Sequence, residues 1–62
     1  MRCRIEELIK ARGLQKSFVA KKLGISVKQL RNYETEHSDI SLKKSFILAD
    51  ILGVKVDDLY ER

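Results

Sequence analysis

Apolar residues recur at helical spacing along most of this chain, and each run is closed by a residue that stops a helix. Ile5, Leu8 and Ile9 share one face and are followed by Gly13, which tolerates left-handed backbone, so the pattern predicts a first helix over about residues 2–12. Val19, Ala20 and Leu23 predict a second over Lys16–Leu23, ended by Gly24; Ala20 is small enough for another helix to approach closely. Ser26 can cap the free amides of a third helix whose inner face carries Ile25, Leu30 and Tyr33. Its outer face then holds Val27, Lys28, Gln29, Arg31 and Asn32, a row of side chains offering both hydrogen-bond donors and acceptors.

Residues 35–40 read as a polar loop, Ser41 as the cap of a fourth helix over Leu42–Leu52, and Gly53 as its stop. Val54, Val56 and Leu59 point to a short fifth helix around residues 56–61. No segment alternates persistently enough for a strand, and there are no repeats, linkers or low-complexity tracts. The expectation is an all-α, compact five-helix bundle forming one domain over residues 1–62.

A core of this size rarely supplies more than about 3–5 kcal/mol, so dimerisation would help. No apolar run is long enough to cross a membrane, and the N-terminus, with Glu6 and Glu7 inside it, does not read as a signal peptide; a cytoplasmic protein is expected. Cys3 is the single cysteine and His37 the single histidine, too few for a closed zinc site, and the bland reading of Cys3 is a partly buried thiol. The chain offers no nucleophile–base–orienter set and no phosphate-cradling glycine loop, so neither an enzyme nor a cofactor is expected.

Charge is unevenly spread. Residues 1–33 carry nine basic against two acidic residues, net +7, and residues 34–62 carry four against seven, net −3. The basic half contains the second and third helices. One face drawn to a polyanion would explain the split, as would a merely solvated basic surface.

Gly13-Leu14, Val19-Ala20-x-x-Leu23-Gly24-Ile25-Ser26, Leu30-x-x-Tyr33-Glu34, Ser41-Leu42, Leu48-Ala49-x-x-Leu52-Gly53-Val54 and Leu59 together resemble the helix-turn-helix family of phage repressor and Cro proteins. The resemblance spans nearly the whole chain and implies a lambda repressor-like DNA-binding domain whose third helix enters the major groove. It implies that Val27, Lys28 and Asn32 read bases, flanked by Gln29 and Arg31. Lys28 suits guanine O6/N7, Asn32 suits adenine N6/N7, Val27 suits a thymine methyl, and Arg31 could reach a base or a phosphate. Phosphates are expected at the start of the second helix, with Lys16 and Ser17, and at Lys43 and Lys44.

Three departures from the family pattern stand out. Lys16 occupies a position where glutamine is common. The loop after the third helix, usually Asn-Gly followed by basic residues, is Thr35-Glu36-His37-Ser38-Asp39, whose acids would repel a DNA backbone; His37 is expected to be an ordinary exposed histidine. Glu34 lacks its usual arginine partner, because Ile9 stands there, and is expected to find Lys10, Arg12 or water. Ile47 and Ile51 also fall where the family often has polar residues or alanine. With Val54 and Tyr60 they are expected to form a two-fold patch, giving a homodimer on double-stranded DNA with an inverted-repeat operator. Phe18, often polar in relatives, could pack over Leu14 or mark a second contact surface. The functional expectation is a bacterial, phage or plasmid regulator of transcription, a repressor blocking a promoter. The alternative is a protein-binding module on the same fold, antitoxin-like or anti-repressor.

Overall fold

The computed structural model describes residues 2–61. Ile5, Leu8 and Ile9 are buried on one face of α1 (Ile5–Ala11), which carries Glu6 and Glu7 in its first turn, where the helix dipole favours acids. Helix α2 (Lys16–Leu23) buries Val19, Ala20 and Leu23. Gly24 ends it in left-handed geometry, at φ 72°, a conformation that costs a residue with a Cβ about 1–2 kcal/mol.

Helix α3 (Val27–Glu34) starts where Ser26 Oγ accepts the Gln29 amide at 3.0 Å. Helix α4 (Leu42–Leu52) starts in the same way, with Ser41 Oγ accepting the Lys44 amide at 3.2 Å, and stops at Gly53, φ 68°. The core joins Ile5, Ile9, Val19, Leu30, Leu48, Leu52 and Leu59, all fully buried, with Tyr33 beside them. Each such side chain contributes about 1.5–3 kcal/mol on leaving water.

The two ends of the expected bundle differ from the sequence pattern. The first helix begins at Ile5 instead of residue 2, because Arg2–Cys3 form a short strand, β1, paired antiparallel with β2 (Tyr60–Glu61). The Arg4 amide donates to the Leu59 carbonyl at 2.8 Å and its guanidinium to the Asp58 carbonyl at 3.3 Å, so the segment before α1 is tied to the end of the 3₁₀ turn.

The fifth helix is likewise corrected. Val56–Leu59 make one 3₁₀ turn, and Tyr60 is already extended, at φ −133° and ψ 145°. One β-branched valine and two aspartates give this segment low helix propensity. Asp58 Oδ2 instead accepts the Lys55 amide at 3.1 Å, and Leu59 turns inward to full burial. The fold is therefore mostly helical, with four α-helices and a two-stranded sheet among the described residues.

Candidate nucleic-acid interface

Helices α2 and α3 are joined by the three residues Gly24-Ile25-Ser26. The Ile25 amide donates to the Ala20 carbonyl at 3.0 Å, and the Leu30 amide to the Ser26 carbonyl at 3.0 Å, so the turn is hydrogen-bonded to both helices. Leu30 and Tyr33 anchor the inner face of α3 in the core, and Ile25 is half-buried beneath the turn.

The opposite face of α3 is open. Val27, Lys28 and Arg31 are exposed, whereas Gln29 and Asn32 are half-buried and bonded to each other, Asn32 Nδ2 donating to Gln29 Oε1 at 3.4 Å. The five residues singled out from the sequence thus sit on one short rigid helix, with two cations and two carboxamides. Such a surface can donate to guanine, pair with adenine edges or hold phosphate oxygens.

After α3 the chain turns sharply. The Thr35 hydroxyl donates to the Arg31 carbonyl at 2.8 Å and lies 2.7 Å from His37 Nδ1, and the amides of His37 and Ser38 both point to the Asn32 carbonyl. Glu36 adopts φ 62°, a left-handed conformation that non-glycine residues rarely take. Its carboxylate and that of Asp39 help raise the Tyr60 hydroxyl pKa, although burial is the larger cause, so the acidic loop lies on the Tyr60 side of the fold.

The start of α2 differs from those of α3 and α4. Gln15 precedes it without a side-chain cap bond, which leaves backbone amides free for an anion; like those of α3 and α4, its first turn carries no acid. Ser17 is exposed beside them.

The partner of Glu34 corrects the sequence expectation. The Lys16 ammonium takes that role in place of Lys10 or Arg12, at 3.0 Å from Glu34 Oε1. The Glu34 side chain is 3% exposed, and its Oε2 has no hydrogen-bond partner among the described residues. Lys16 also lies 3.0 Å from Glu6 Oε2, on α1. Bonding to Glu34 first and Glu6 second raises the Lys16 pKa; bonding to Lys16, helped by Lys10 and Arg31, lowers that of Glu6. Arg12 instead reaches the Gly53 carbonyl at 3.5 Å.

Lys43 is exposed and Lys44 half-buried in the first turn of α4. Of the four residues expected at a two-fold contact, Ile47 is 39% exposed, while Ile51, Val54 and Tyr60 are half-buried against the core. The larger exposed apolar side chains were missed: Leu42 is 69% and Phe46 59% exposed. Phe46, Ile47, Ala49, Asp50, Val54 and Val56 line a shallow groove of about 360 Å³. The available signal was a surplus, since α4 carries more apolar residues than one inward stripe can use. Phe18 is exposed, and the Lys22 ammonium lies 5.6 Å from its ring centre, a cation–π contact.

A family model described as helix-turn-helix matches residues 5–59, which include all four α-helices and the 3₁₀ turn. No curated protein matches the chain. Among the described residues, no helix is long and apolar enough to cross a membrane.

Proposed function

This chain belongs to the Cro/C1-type helix-turn-helix family, and on that premise we propose that it is a sequence-specific, DNA-binding regulator of transcription. It acts as a dimeric repressor that blocks a promoter at an inverted-repeat operator. The observation that carries this reading is the open face of α3: Val27, Lys28, Gln29, Arg31 and Asn32 on a helix capped by Ser26 and anchored by Leu30 and Tyr33. In this reading α3 enters the major groove. Lys28 and Asn32 read guanine and adenine edges, Val27 meets a thymine methyl, and Gln29 holds the Asn32 carboxamide in place.

Phosphates are held by the uncapped amides at the start of α2 with Lys16 and Ser17, and by Lys43 and Lys44. A second copy of the chain covers Ile47 together with Leu42 and Phe46, with Ile51, Val54 and Tyr60 at the margin of the contact. Pairing across that face would set two α3 helices about 34 Å apart, one turn of DNA.

The same apolar face favours a second reading, in which a different protein occupies it and the chain is a protein-binding module. Fluorescence anisotropy with DNA upstream of the chain's own gene and with scrambled DNA, at about 50 and 200 mM salt, separates the two. Tight, salt-sensitive binding to the upstream duplex alone supports the regulator; absence of binding at both salts supports the protein-binding module.

A further inference from the structure

Among the described residues, Lys16 is the one member of the expected phosphate-binding set whose ammonium is already occupied, and its two carboxylate partners are not equivalent. Glu34 is buried on α3, with its other oxygen unpartnered among the described residues, so removing the ammonium would leave a bare charge in the interior. Glu6 is 52% exposed, comes from α1, and makes its 3.0 Å contact at the rim. Water can solvate Glu6 on release at little cost, but cannot so readily solvate Glu34. Of the two bonds, the one to Glu6 is exchangeable.

Glu6 also lies within the field of Arg31, on the open face of α3, and of Lys10. Its 3.0 Å contact with Lys16 sets it beside the start of α2, where a DNA backbone would run in the reading above. We propose that Glu6 is a built-in competitor for a backbone phosphate: in the free protein it occupies the place on Lys16 that a DNA phosphate oxygen takes in the complex. This rests on the DNA-binding reading above and adds to it a residue that lowers affinity for any sequence. Lys16 keeps its bond to Glu34 throughout, and the ammonium, with three donors, exchanges a carboxylate for a phosphate without leaving α3.

The test compares the wild-type protein, Glu6→Gln and Glu7→Gln on a mixed-sequence DNA duplex at about 50 mM salt. Glu7 removes the same charge from the same helix, but it pairs with Arg2 and Arg4 and not with Lys16. Circular dichroism first confirms that all three are folded. Glu6→Gln should bind about three- to fivefold tighter than wild type, the range of an exposed ion pair, and Glu7→Gln less than about twofold tighter. An unchanged affinity for Glu6→Gln, or equal gains in both variants, overturns the competitor role while leaving the DNA-binding reading intact. Absence of binding by all three, both to this duplex and to the DNA upstream of the chain's own gene, removes the DNA-binding reading, and the competitor with it.

Discussion

The Lys16 ammonium lies 3.0 Å from the buried Glu34 carboxylate, tying the first residue of α2 to the last of α3. This bond crosses between the two helices of the motif. Removing the ammonium leaves Glu34 buried and unpaired. Lys16→Met should cost about 2 kcal/mol in urea denaturation, below the roughly 3–5 of a fully buried pair because Lys16 is 28% exposed. Lys16→Met/Glu34→Met should recover most of that loss. A double variant no more stable than the single one would show that the pair does not act as a unit.

Glu36 holds φ 62° at a position where the related family usually has glycine. The left-handed conformation costs a side chain about 1–2 kcal/mol, against about 0.5–1 kcal/mol of extra unfolded-state entropy for glycine. Glu36→Gly should therefore stabilise the chain by about 0.5–1 kcal/mol, raising Tm by roughly 2–8 °C. A lower Tm would mean that the Glu36 side chain contributes more than its backbone loses.

Stability should fall on the acid side. Glu6 is held below the ordinary glutamate pKa by its bond to Lys16, and Glu61 by its bond to Arg2. A depressed carboxylate contributes stability that is complete above its unfolded pKa, about 4.3, and is lost as pH falls through the lower folded value. Lys16, raised by Glu34 and Glu6, gives the opposite flank: its contribution is complete below about pH 10.4 and is lost at higher pH. Thermal melts from about pH 6 to about pH 3 should show a smaller loss in Glu6→Gln/Glu61→Gln than in wild type. Parallel curves would remove these two pairs from the acid transition.

The α-helix boundaries legible in the sequence are those set locally. Ser26 and Ser41 cap the helices expected from their side chains, and Gly24 and Gly53 stop them, because a cap or a left-handed stop depends only on residues within one turn. The helix limits failed where the partner is distant in sequence. Arg2–Cys3 pair with Tyr60–Glu61, and a two-residue strand is too short to show alternation. The Glu34 partner was missed for a different reason. Only the chain path brings the start of α2 beside the end of α3, and with it the Lys16 ammonium within 3.0 Å of Glu34. Leu42 and Phe46 escaped notice because helical periodicity marks a side chain as apolar without saying which of several stripes the core takes.

The exposed face of α4 should govern association. Phe46→Lys and Ile47→Lys each place a charge in the contact proposed for a second copy, so each should shift sedimentation towards monomer with the helical circular-dichroism signal retained. An Ile47→Lys protein that remains fully dimeric would move the interface elsewhere.

The central claim is that α3 reads DNA sequence, and the most direct measurement is an anisotropy titration of wild type, Asn32→Ala and Lys28→Ala. The probe is a duplex recovered from a random pool by the wild-type protein, compared with its scrambled form. Wild type should prefer the recovered duplex, and each alanine variant should lose about 1–3 kcal/mol of that preference, with little change on scrambled DNA. Equal affinity of wild type for both duplexes, or an unchanged preference in both variants, would contradict it.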